Sequence, residues 1–146
     1  MKTFEIEPLK GVGPVRFGMS RDEVRKLLGT PDSVNDNREW FLDGFAVDYD
    51  STGKVEFVEF AISSKFRVAF KGKCLHEMYA DDAVAFVSEF APYDATDPEL
   101  GYTYMFPKLQ LSLWRPTMPE PDQPEDAPAG RRFHAVGAAA DGYFEL

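Results

Sequence analysis

Val15-Arg16-Phe17-Gly18-Met19-Ser20-Arg21-Asp22-Glu23-Val24-Arg25-Lys26-Leu27-Leu28-Gly29-Thr30-Pro31 decides how this chain is built. Ser20 followed three residues later by Glu23 is a capping box, in which hydroxyl and carboxylate each satisfy a backbone N–H at a helix start. Val24, Leu27 and Leu28 form an apolar stripe, and Gly29 with Pro31 stops the helix, so the spacing predicts a short helix over 20–28. Phe4 and Ile6 alternate with polar neighbours and predict a strand before it. After the polar stretch 32–37, Arg38–Leu42 and Phe45–Asp50 flank Asp43-Gly44, a pair that favours a two-residue type I′ hairpin turn. That turn places Leu42 opposite Phe45 and Trp40 opposite Val47. Trp40, Leu42, Phe45, Val47 and Tyr49 then share one face, and Glu39, Phe41, Ala46, Asp48 and Asp50 share the other. Lys54–Ile62 reads as the next strand.

The same order recurs further on. Met78 to Val87 matches Met19 to Leu28 at an offset of 59 residues, with Asp81 and Asp82 at the acidic first-turn positions of Asp22 and Glu23. Tyr104 to Leu111 matches Trp40 to Val47 at an offset of 64. The expected arrangement is one domain over 1–146 with half-repeats 1–65 and 66–146, the second closed by a strand at Arg131–Ala138. Its fold class is α+β, two tandem helix-plus-β-hairpin halves with two helices on one face of a mostly antiparallel sheet. Residues 116–130 hold five prolines and four acidic residues without apolar period, which predicts an exposed, extended loop.

With 146 residues, 44% apolar and 13 Phe, the chain can bury a core unaided. Its single cysteine, Cys74, excludes an internal disulfide framework and a multi-cysteine zinc site. Residues 1–7 lack the apolar run of a secretory signal, and no stretch approaches the roughly 18 apolar residues of a membrane helix. A cytoplasmic location is expected. Net charge is −9, and the excess is confined to one half: residues 1–73 hold 12 basic and 12 acidic side chains, and residues 74–146 hold 4 and 13. Such a field repels nucleic acid and anionic membranes and steers a basic partner inward.

The helix signature from Phe17 to Pro31 resembles that of small bacterial domains in the superfamily of the β-lactamase inhibitor protein and the SmpA-type outer-membrane assembly lipoproteins. The resemblance covers about 17 residues. It implies a saddle-like sheet built from two helix-plus-sheet repeats that grips another protein. The chain departs from both groups, lacking a lipidation cysteine near the start and the paired cysteines of a secreted inhibitor. A protein-binding scaffold is what the likeness leaves.

Signatures of catalysis are weak. Cys74 and His76 lack a third orienting group, and adding His134 gives no close metal-ligand spacing. Gly11-Val12-Gly13 followed by Pro14 reads as a turn and not as a dinucleotide loop. Asp48 with Asp50, or Glu56 with Glu59, could run acid–base hydrolysis, since strand neighbours two apart lie about 7 Å from each other. No enzyme activity, cofactor or metal is expected. The function expected is protein binding through an open aromatic sheet face, by an immunity or inhibitor protein that covers a basic partner. Its contact residues would be Phe41, Asp48, Asp50, Met105, Gln110 and Trp114, an aromatic centre with a polar rim. Two alternatives stay open: a self-associating housekeeping domain, with a homodimer formed through that face, and a small carboxylate-dependent hydrolase.

Overall fold

The computed structural model describes residues 2–144. Strands β1 (Lys2–Glu7), β2 (Gly11–Val12) and β3 (Val15–Arg16) precede helix α1 (Arg21–Leu28). Then come β4 (Ser33–Asn35), β5 (Arg38–Phe41), β6 (Phe45–Tyr49), β7 (Val55–Phe60) and β8 (Phe66–Ala69). A 3₁₀ turn at Leu75–Glu77 and helix α2 (Ala80–Ser88) lead to β9 (Thr103–Phe106), β10 (Leu111–Trp114) and β11 (Ala135–Ala139). The class is α+β, with a seven-stranded antiparallel sheet ordered β4-β5-β6-β7-β11-β10-β9 and a mixed four-stranded sheet ordered β3-β2-β1-β8. The large sheet is two meanders joined where β7 pairs antiparallel with β11. In the small sheet β1 runs parallel to β8, a strand the sequence pattern did not announce.

The capping box forms as expected: the Glu23 N–H donates to Ser20 Oγ at 3.3 Å and the Ser20 N–H to Glu23 Oε1 at 3.2 Å. At the other end the Gly29 N–H reaches the Arg25 carbonyl at 2.8 Å. The apolar stripe is narrower than its residues suggest. Val24 is buried and Leu28 half-buried, but Leu27 is exposed, because a two-turn helix meets the core along one line only. In α2 no side chain caps the first turn, and the Arg131 carbonyl accepts the Ala80 N–H at 2.7 Å instead. Ala80, Ala83 and Val87 of α2 and Val24 of α1 enter one core with Phe45, Val58, Phe60, Phe106, Leu111 and Val136 from the inner face of the large sheet.

Loop length decides which side chains enter that core. In the first hairpin Leu42 (52°) and Asp43 (55°) take left-handed φ values, one residue before the expected turn, Gly44 follows at 155°, and the Gly44 N–H closes the turn onto the Phe41 carbonyl at 3.1 Å. The loop therefore has three residues, and Phe41, not Leu42, stands opposite Phe45. An odd change in loop length turns every β5 side chain over. Glu39 and Phe41 point inward at 0% exposure, while Arg38 and Trp40 stand on the outer face, the reverse of the sequence expectation. In the second hairpin Pro107 cannot adopt the φ of a primed turn, and the loop lengthens to four residues, pairing Phe106 with Leu111. That change is even. Phe106, Leu111 and Leu113 stay in the core, and Met105, Ser112 and Trp114 stay on the outer face, where Met105 is covered at 8% exposure and Trp114 is exposed.

Residues 116–130 hold no strand or helix, yet they do not run extended. The Arg131 guanidinium donates to the carbonyls of Gln123 and Pro124, and the Gln123 amide donates to those of Ala127 and Ala129. Gly130, at φ 73°, lies so close to the Thr117–Pro119 backbone that any Cβ would sit 2.7 Å from it. Buried Arg115 ties both sides down through the carbonyls of Gly101 and Gly130, each at 2.8 Å.

Candidate functional site

The outer face of the large sheet carries the candidate site. Across its centre the pairing sets Ala46, Glu59 and Gly137 in one row, continued by Ser112 and Met105. Gly137 is required there, because a Cβ would stand 2.6 Å from Ser112 Oγ and 2.8 Å from the Phe57 ring. Phe57 thus lies flat on the strand and is covered in turn by Tyr143, with ring centroids 5.0 Å apart and planes 2° from parallel. The segment bearing Tyr143 is held by Gln110. Its amide donates to the Phe144 carbonyl at 3.1 Å and accepts the Phe144 N–H at 2.7 Å.

Between this segment and the 94–98 loop lies a groove of about 680 Å³, floored by Phe57, Met105 and Ser112 and flanked by Trp114, Thr103 and Tyr143. Its charged lining groups are Glu59, Asp94 and Asp97, with no basic side chain among the lining residues. The Thr96 hydroxyl donates to Asp94 Oδ1 at 2.6 Å and holds that carboxyl below its ordinary range. Trp114 is 40% exposed, a large apolar surface left to solvent.

Of the six expected contact residues, Met105 and Trp114 line this groove. Asp48 shares the outer face but is committed to Arg38, whose Nη2 donates to Asp48 Oδ2 at 2.9 Å. Asp50 leaves the strand after a register shift at Asp48/Tyr49 and closes a turn, accepting from Thr52 Oγ1 at 2.6 Å and from the Thr52 and Lys54 N–H groups. Gln110 is buried as the clasp of Phe144, and Phe41 lies in the core, so neither is presented on the face. Phe57, Asp94, Asp97 and Tyr143 are groove residues that the sequence pattern did not single out. Phe57 escaped because the same register shift breaks alternation along Val55-Glu56-Phe57-Val58-Glu59-Phe60.

The carboxylate pairs considered for hydrolysis are not gathered in a cavity. Glu56 is pushed up by burial and by the nearby charges of Asp50 and Asp48, but none of the three cavities described here is lined by Glu56 or Asp48. A buried carboxylate sits on the inner side instead. Glu39 accepts from the Tyr49 hydroxyl at 2.8 Å and from Arg25 Nε at 3.0 Å, with Arg21 3.3 Å away. Burial pushes the Glu39 carboxyl up, but the hydrogen bonds of Arg25 and Tyr49 and the arginine charges outweigh it and hold it below the ordinary range.

A second cavity, of about 270 Å³, contains Cys74, His76, Arg67 and Glu77. Burial pushes the Cys74 thiol up, away from the thiolate that a nucleophile needs. His76 Nε2 is buried without a hydrogen-bond partner, and burial holds the ring below the usual imidazole range. The third, of about 690 Å³, lies between the start of α2 and the proline-rich loop and mixes Asp81, Asp82 and Glu125 with Arg115 and Arg131. Among the described residues, no cluster of three or more His, Cys, Asp or Glu is arranged to hold a metal ion, and no helix is long and apolar enough to cross a membrane. No family model, curated protein or solved structure matches the chain.

Proposed function

We propose that this chain is a small protein-binding domain that docks a basic partner on the outer face of its large sheet, in the manner of an immunity or inhibitor protein acting in the cytoplasm. The observation that carries the reading is the groove itself, where Trp114, Met105 and Tyr143 meet Glu59, Asp94 and Asp97 without a lining cation. Aromatic surface at a patch centre, here Trp114 and Tyr143, supplies binding energy, and a single sign of charge around it speeds encounter and selects the partner. Phe57 and Ser112 of the floor lie on strands paired on both sides and Met105 on the edge strand β9, so the floor is held by the sheet ladder and little conformational entropy is lost on docking. The likeness to the inhibitor superfamily belongs to the same proposal.

Self-association is the second reading, favoured by the 40% exposure of Trp114 on an apolar face. Both readings are tested by capturing partners from a source lysate at low salt. The native chain is compared with a Trp114→Ala, Thr103→Arg double variant shown by circular dichroism to be folded. A basic protein retained by the native chain, lost by the variant and released by salt supports partner docking. A native chain that dimerises and captures nothing supports self-association. Equal capture by both chains rejects the face as the site.

A further inference from the structure

One flank of the outer face already holds a guanidinium. Arg38 lies with its Cζ 5.5 Å from the Trp40 ring centroid, and its nitrogens reach Asp48 Oδ2 at 2.9 Å and Glu59 Oε1 at 3.3 Å. This is an arginine seat made of an indole and strand carboxylates. The other flank sets an indole beside loop carboxylates without an arginine; Trp114 packs nearly at right angles to the His134 ring, with centroids 6.5 Å apart. Trp114 is 40% exposed, and among the described residues no guanidinium or ammonium lies over its ring. Asp94 and Asp97 line the groove with it. In each, Oδ1 is spent on its own loop, on Thr96 or on the Glu99 N–H, and Oδ2 makes no hydrogen bond among the described residues.

We infer that the groove takes an arginine side chain of the protein partner, its guanidinium against the Trp114 indole and its charge shared with Asp94 and Asp97. The inference rests on the binding reading above and names what the bound segment must carry. Arginine fits better than lysine because its planar, weakly hydrated head stacks on an indole while its edge still donates to carboxylates. Glu59, shared by both flanks, places a further negative charge between the seats.

The test uses Trp40→Phe, which keeps a ring under Arg38 and leaves Trp114 as the only tryptophan of the 2 in the chain. Its fluorescence is titrated at low salt with the blocked peptide acetyl-Leu-Arg-Leu-amide and with the citrulline and lysine analogues. Citrulline keeps the shape and loses the charge. The arginine peptide is expected to bind about tenfold more tightly than citrulline, with lysine between them. Asp94→Asn and Asp97→Asn retain the Oδ1 acceptor of each loop and should each erase most of that preference. Equal binding of arginine and citrulline peptides overturns the inference, as does a preference that survives both Asn variants or the absence of any arginine-dependent change at millimolar peptide. If a captured partner still requires Trp114 in those cases, only the arginine assignment falls. If capture is indifferent to Trp114→Ala, the binding face falls with it. Concentration-dependent dimerisation abolished by Trp114→Ala makes the occupant a second copy of the chain and likewise overturns the inference.

Discussion

Phe41 and Trp40 are adjacent, and truncating each in turn measures the register of the first hairpin. Phe41 has 0% exposure and belongs to the one hydrophobic core that Val24 of α1 and Ala80, Ala83 and Val87 of α2 also enter. An aromatic side chain buries about 200 Å², which at about 25 cal/mol per Å² sets a ceiling near 5 kcal/mol. Large-to-small changes of this kind cost about 3–5 kcal/mol once the cavity is included. Trp40 is half-buried on the outer face, where it supports Arg38 from 5.5 Å. Losing that contact and part of its apolar cover should cost about 1–2 kcal/mol. Urea denaturation of Phe41→Ala and Trp40→Ala, read as midpoints at constant m, should therefore separate the two by about 2 kcal/mol or more. A Phe41→Ala chain that fails to fold while Trp40→Ala folds is the same result at its limit. Phe41→Leu, expected to cost about 1 kcal/mol, supplies a folded member of the series. Trp40→Ala costing as much as Phe41→Ala would refute the three-residue loop and, with it, the assignment of Arg38 and Trp40 to the binding face.

Three further outcomes follow from the same contacts. Gly137→Ala puts a methyl 2.8 Å from the Phe57 ring, which must lift toward Tyr143; the net cost should be about 1–2 kcal/mol in urea, despite the gain usual for replacing a strand glycine. Glu39→Gln keeps an acceptor for the Tyr49 hydroxyl but removes the charge facing Arg21 and Arg25, and should cost about 1–2 kcal/mol at neutral pH. The folded Glu39 carboxyl is held below its ordinary value of 4.5, so its contribution is complete above that pH and is lost as pH falls beneath it; stability measured below pH 4.5 should fall less steeply in the variant. His76 is likewise depressed, from 6.5, so its contribution is complete above that pH and shrinks as pH falls. His76→Phe, placed against Phe60, should flatten the loss of stability between pH 7 and pH 5, and an unchanged slope would mean that His76 is not the group responsible.

Capping chemistry is local, and so Ser20, Glu23 and Gly29 announced α1 without help from the rest of the chain. The meander after it was legible from Asp43-Gly44 and from alternation, but its faces were not. Whether Phe41 or Trp40 enters the core depends on a one-residue difference in loop length, and Leu42, which carries one of the positive φ values, advertises nothing of the kind. Proline at 107 does not fit a primed two-residue turn, and because the loop has four residues, an even number, Met105 and Trp114 keep the outer face. The rest of the groove comes from tertiary packing. Asp94 and Asp97 reach it on a loop, and Tyr143 reaches it through a side-chain clasp from Gln110, a contact spanning 34 residues that no local pattern encodes.

The place of β11 sets a clock on synthesis. β7 and β10 do not pair with each other; both pair with β11, which follows β7 by some 75 residues and is the last described strand to be made. Translation at about 5–20 residues per second leaves the edge of β7 open for several seconds, with Val58 and Phe60 beside it still uncovered by their partner strand. The contacts that finally close the sheet are among its least local, the kind that form slowly. Newly made chains should therefore aggregate most readily in the interval before residues 135–139 become free to insert, and slower translation through the proline-rich stretch would lengthen that exposure.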